Sequence, residues 1–167
     1  MALREIVKEG YESLSKVCKP VTAFDSKLKT LVRDMIDTLI DADGLGLAAP
    51  QIGVLRRLAI VIDDNGDFIT LINPVITKRS GEQYANEGCL SVPGVFGKTK
   101  RPAEVTVEAY DVDGNKFSMT RTGITAVCIC HETDHLDGKL FREHVIEYLQ
   151  EDDEQCAAFL WVLRILP

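Results

Sequence analysis

Positive charge is in short supply. Nineteen lysines and arginines stand against 26 aspartates and glutamates, giving a net charge of −7 and a pI near 5.0. That balance argues against non-specific affinity for nucleic-acid backbone. No zinc-finger, RNA-binding or helix-turn-helix signature offsets it. Long apolar runs are also missing, so no segment has the roughly 20 residues of a membrane-spanning helix. The opening MALREIVKEG is too polar for a signal peptide. A disulfide framework is absent too: Cys18, Cys89, Cys128, Cys130 and Cys156 are odd in number and scattered. Together these absences point to the reducing cytoplasm, where a thiol is free to bind metal. At 167 residues, 46% hydrophobic and 27% charged, the chain reads as one globular domain with a sizeable core.

Histidine is scarce as well, and two of the three fall in His131-Glu132-Thr133-Asp134-His135. Imidazoles four residues apart on a helix lie one turn apart on one face and can reach a single ion. Glu132 is not needed as a ligand and can move protons beside the ion. Ile124, Val127 and Cys128 continue that face upstream, so an apolar wall adjoins the metal side and suits a greasy substrate side chain. Thr122 or Thr125 is placed to cap this helix and Gly138 to end it.

The rest of the chain reads as α+β: short antiparallel or mixed sheets around the central helix that carries the motif, with one helix N-terminal and one C-terminal. Residues 1–24 form an irregular arm with a helical turn between Glu12 and Val17. Asp25 or Ser26 caps a helix whose Leu28, Leu31, Val32, Met35, Ile36, Leu39 and Ile40 repeat at helical spacing, stopped by Gly44. Residues 56–63 and 68–77 predict an antiparallel hairpin around Asp64-Asn65-Gly66-Asp67, with a break at Pro74. Residues 103–110 and 116–121 predict another around 111–115. Cys89 sits among small and turn residues in a predicted loop. The acidic run 151–154 reads as solvated. Residues 149–167 form an apolar, predicted helical tail, expected to dock on its own domain, on a second copy or on another partner.

Two histidines leave a metal site incomplete, since catalytic sites usually hold three protein ligands and one open position. A downstream acid, Glu143, Glu147 or Glu151, would give a zinc endopeptidase. A third histidine six residues after the second is excluded, because Phe141 stands there and His144 is displaced by three. Cys89 would give a His2Cys site. A structural metal in a non-catalytic binding module is a further class, in which Glu132 would have no role in turnover.

Three stretches together resemble a known family. GLGLAAPQ (44–51), EGCLS (87–91) and HETDH (131–135) are similar, in the same order, to the signature motifs of peptide deformylases, and the likeness covers roughly residues 1–148. The resemblance implies a catalytic domain over 1–148 and the removal of formyl groups from N-formyl-methionyl peptides and nascent chains, releasing formate. It implies Cys89, His131 and His135 as metal ligands and Glu132 as general acid and base. Gln51, through its amide, and Leu90, through its backbone N–H, would hold the formyl oxygen. Leu45, Gly46 and Gly88 would meet the peptide, and Ile124, Val127 and Cys128 would form the methionine pocket. The implied cofactor is one divalent ion, Fe2+ in the cell, with Zn2+, Ni2+ or Co2+ as alternatives. Association with the ribosome, and pairing of copies through the tail, are further expectations. Arg101 matches a basic strand residue. Cys130 departs from the family's usual glutamine and lies one residue off the metal face.

Overall fold

A computed structural model describes residues 2–150. The predicted C-terminal helix of the tail lies outside the described residues. An N-terminal arm with a 3₁₀ turn at Glu12–Ser15 leads to helix α1 (Ser26–Asp41). Strand β1 (Gly46–Ala48), a 3₁₀ turn (Ala49–Ile52) and β2 (Leu58–Ile62) follow. Then come β3 (Phe68–Ser80), β4 (Gln83–Cys89), β5 (Val92–Arg101), β6 (Glu104–Tyr110) and β7 (Lys116–Thr122). Helix α2 (Gly123–Leu136) carries the histidine motif, and β8 (Val145–Leu149) ends the described chain.

The strands form two antiparallel sheets, one ordered β1-β2-β3-β6-β7 and one ordered β4-β5-β8. The larger sheet is covered on both faces, which explains why β2 reads LAIVI without polar alternation. Leu58, Ile60 and Ile72 pack with Leu28, Leu31, Val32, Met35 and Leu39 of α1. Val61, Leu71, Val105 and Val107 pack with Ala126, Ile129 and Cys130 of α2. Cys130 is therefore a core residue, and burial raises its thiol pKa to about 11.

Helix α1 starts where its sequence says, with the Asp25 carboxylate accepting from Leu28 N–H at 2.9 Å. It stops at Asp41 rather than at Gly44, because Asp43 itself takes the left-handed conformation, φ 51°. No side-chain cap closes the start of α2, although Thr122 occupies the N-cap position.

Three expectations need correction. Pro74 does not break the second strand: β3 continues to Ser80 through a bulge between Ile72 and Val75. Asn73 makes this possible at φ 51°, its amide exchanging hydrogen bonds of 2.8 and 2.9 Å with Val21 N–H and C=O. Cys89 is not in a loop but at the end of β4. Residues 145–149, for which no strand is expected, form β8 (Val145–Leu149).

The arm straps the future site together. Val7 N–H donates to Gln51 C=O at 2.9 Å, and Glu9 N–H donates to Ser91 C=O at 2.8 Å. One chain segment thus ties the 3₁₀ turn after β1 to the residues that follow Cys89. Among the described residues, no helix is long and apolar enough to cross a membrane.

Leu39 is fully buried on α1 while its neighbour Ile40 is 58% exposed. Leu39→Ala is expected to cost about 2–5 kcal/mol in denaturant unfolding, and Ile40→Ala less than about 0.5. Equal losses at the two positions would refute this assignment of the inner face.

Candidate metal centre

Helix α2 is buried on most of its circumference, and its final two turns present His131, Glu132 and His135, exposed by only 9%, 4% and 0%. Strand β4 brings Cys89 up to them. One nitrogen of each histidine and the Cys89 sulfur all lie within 4.8 Å of one another. His135 Nε2 is 3.3 Å from the sulfur. Ligands bound at about 2.0–2.3 Å from one Zn2+ or similar ion fall within a few ångström of each other. A thiolate and two imidazoles are also donors that such ions accept readily. The donor set therefore fits a divalent transition metal. Glu143 and Glu147 are exposed and do not belong to the group. Glu151 lies outside the described residues.

The ligand orientations have visible causes. His131 Nδ1 lies 2.7 Å from Glu87 Oε2, which leaves Nε2 for the cluster. Burial opposes charge on His131, but contacts with Cys89 and Glu87 outweigh it and raise its pKa. Burial, reinforced by the nearby His131, lowers the pKa of His135 and favours the neutral ring that a metal requires. Ser91 N–H points at Cys89 Sγ at 3.4 Å.

Glu87 was not singled out by the sequence reading, although it lies two residues before Cys89 in the same motif. It is 3% exposed and receives Thr99 Oγ1 at 2.5 Å. Arg101 clasps it through Nε at 2.7 Å and Nη2 at 3.1 Å. Burial works against ionising Glu87, yet hydrogen bonds with His131 and Arg101 prevail and bring its pKa to about 2. Arg101, read from sequence only as a basic strand residue, is buried at 4% exposure and also reaches Asp134 Oδ2 at 2.7 Å.

Beside the cluster lies a cleft of about 760 Å³. Leu45, Gly46, Gln51, Gly88, Cys89, Leu90, Ile124, Val127, Cys128, His131 and Glu132 all line it, whereas the fully buried His135 does not. Ile124 stands at the exposed end, 38% accessible, while Val127 is at 2% and Cys128 at 9%. Burial raises the Cys128 thiol pKa strongly, so it behaves as an apolar surface.

Glu132 shares this cleft. Burial pushes its carboxyl up to about 7, and its Oε2 has no protein partner. Gly46 explains its position: a Cβ on Gly46 would overlap the Glu132 carboxylate, so only glycine lets β1 and α2 approach this closely. The Gln51 amide is oriented by Ala48 N–H, which donates to Oε1 at 2.8 Å. Its Nε2 then faces Ser91 Oγ at 3.2 Å and Cys89 Sγ at 3.6 Å, on the cleft side.

A buried carboxyl with a pKa of about 7, three donors placed so that they could hold a metal, and an apolar cleft meet in one place, the combination that metal-assisted hydrolysis requires. Known proteins point the same way. The sequence model described as Polypeptide deformylase matches residues 3–151. A peptide deformylase of Acetivibrio thermocellus is 50% identical over 153 residues, spanning 92% of this chain and 89% of that protein. Peptide deformylase 1 of Bacillus subtilis is 46% identical over 154 residues, spanning 92% and 96%. The crystal structure of peptide deformylase from Thermotoga maritima superposes with a TM-score of 0.84 at 34% identity, covering 87% of this chain and 99% of that one. That of a peptide deformylase from Legionella pneumophila gives 0.83 at 41%, covering 99% and 100%. This chain belongs to the polypeptide deformylase family.

Proposed function

We infer that the protein hydrolyses the formyl group from the N-terminal formyl-methionine of newly made polypeptides, releasing formate. The observation that carries this is the meeting of Cys89, His131 and His135 at the wall of an apolar cleft that Glu132 shares. In this proposal those three side chains hold the ion, Fe2+ in the cell. When bound, it supplies Lewis acidity, which makes water a nucleophile near neutral pH.

The chain's own residues do the remainder. The methionine side chain enters between Ile124, Val127 and Cys128, exchanging water for apolar wall. Leu45, Gly46 and Gly88 border the peptide backbone from β1 and β4. Negative charge developing on the formyl oxygen is met by Gln51 Nε2 and Leu90 N–H. Glu132, with a pKa near 7, takes the proton from water as its oxygen bonds to the formyl carbon. It then delivers that proton to the amide nitrogen as the C–N bond breaks, leaving a free amine and formic acid, which gives up its remaining proton to become formate.

The zinc endopeptidase alternative loses its support, because its accessible downstream acids do not approach the histidines. The same proposal places a catalytic domain over 1–148 with 149–167 as an appended tail, and action in the cytoplasm on chains leaving the ribosome. Association with the ribosome and pairing of copies through the tail belong to it as well.

The deciding experiment is formate release from a formyl-Met peptide by protein purified anaerobically; absence of release from metal-replete protein would overturn the function. Cys89→Ala is expected to abolish tight binding of Fe2+, Zn2+ or Co2+, measured by metal analysis after desalting. Retention of a full equivalent would remove Cys89 from the ligand set. Glu132→Gln should keep its metal and lose about 10²–10⁴-fold in kcat. Gly46→Ala should behave alike in direction, losing about 10²-fold in kcat with metal content unchanged, because its methyl displaces the Glu132 carboxylate. Unaltered turnover in either variant would refute the assigned role of Glu132.

A further inference from the structure

The metal ligands come from two separate elements. The sulfur is carried by β4 in the three-stranded sheet, and both imidazoles are carried by α2, much of whose buried surface packs on the other sheet. Their convergence needs something that fixes the small sheet against the helix.

We propose that Asp134 and Arg101 are positioning residues that staple α2 to β4 and β5 and so set the reach between Cys89 and the two histidines. This rests on the ligand reading given above. Arg101, the last residue of β5, uses all three of its side-chain nitrogens. Nε and Nη2 hold Glu87 of β4 at 2.7 and 3.1 Å, and Nη1 holds Asp134 of α2 at 2.7 Å. Glu87 in turn contacts His131 Nδ1 at 2.7 Å. Asp134 and His131 are three residues apart on the same helix. The network therefore grips α2 at two points almost one turn apart and leads both grips to the strand that carries Cys89.

The geometry is that of a fork whose tines are both used. A lysine at 101 could not bridge two carboxylates in this way, since its ammonium is a single point charge. At 4% exposure, Arg101 sits where its ion pairs are little screened. His144, which the sequence excludes as a metal ligand, lies 3.0 Å from Asp134 Oδ2 on the outer side, without the alignment of a hydrogen bond. Asp134 thus has Arg101 on one side and the His144 ring on the other, and its 21% exposed side chain tolerates an isosteric change.

A second ion pair supplies the control. Arg57 Nη1 meets Asp137 Oδ1 at 2.7 Å and ties the end of α2 to the residue preceding β2, in the large sheet. It secures the helix without touching the path to Cys89.

The test uses full-length protein, stripped of metal and titrated with Co2+ under anaerobic conditions. It follows the sulfur-to-cobalt charge-transfer band, the dissociation constant and the rate of metal loss to a chelator. Asp134→Asn and Arg101→Lys are expected to weaken Co2+ binding about 10–100-fold and to reduce or shift the band. Arg57→Met is expected to lower thermal stability while leaving affinity and band unchanged. Should both network variants bind Co2+ as tightly as the unsubstituted protein, with the same band, the staple would be refuted whatever their stability. It would be refuted equally if Arg57→Met weakened binding as much as they do, since the effect would then be general loosening of α2. An unsubstituted protein that binds Co2+ without a thiolate band would overturn the ligand reading and the staple together.

Discussion

The structure turns on bringing one cysteine sulfur and two imidazoles, carried by a strand and a helix, within 4.8 Å of one another. Neither element could do this alone. The helix supplies the histidines at a fixed spacing of four residues, while the sulfur arrives from a strand of the three-stranded sheet, 46 residues before His135 in the chain. Charged groups buried at such a junction are costly unless each has a partner. Glu87, Arg101 and His131 meet that demand for one another, and Asp134 does so for the third nitrogen of Arg101. The burial that makes the network costly also shields it from water and salt.

Around that junction, glycine and apolar residues decide what chemistry is possible. Gly46 lets β1 pass close against Glu132, whose burial lifts its carboxyl to about 7, the range that the proposed acid and base role needs. Val127 and Cys128 give the cleft an apolar wall on the side where, in the proposal, a methionine side chain would lie. The N-terminal arm bonds to Gln51 and Ser91, so the turn that carries the amide and the residues after Cys89 are held by one segment. The groups assigned by the proposal to proton transfer, oxyanion support and side-chain recognition thus stand on elements fixed by backbone hydrogen bonds.

Much of this was legible in the sequence because it was local. The apolar repeat of α1, the four-residue step between His131 and His135, and the turn residues between β6 and β7 each depend on neighbours within one element. The order of the three motifs pointed to the family without any geometry. What was not legible depended on pairing across distance. Cys89 reads as a loop residue because glycine and proline surround it, yet pairing of β4 with β5 makes it a strand end. Strand β8 has no strong pattern of its own and exists through its register with β5. Pro74 looks like a break in the sequence, but Asn73, bonded to the distant Val21, turns it into a bulge. Glu87 and Arg101 look like surface charges in a charged stretch. A signal for Glu87 was present, since a carboxylate two residues before a ligand on an extended segment can turn to the same side.

In the proposed metal centre, one sulfur and two imidazole nitrogens share an ion. X-ray absorption at the metal edge of anaerobically loaded protein tests it most directly. The expected result for the zinc-loaded form is one sulfur neighbour at about 2.3 Å and two imidazole nitrogens at about 2.0–2.1 Å. A first shell of nitrogen and oxygen alone, with no sulfur, would contradict it.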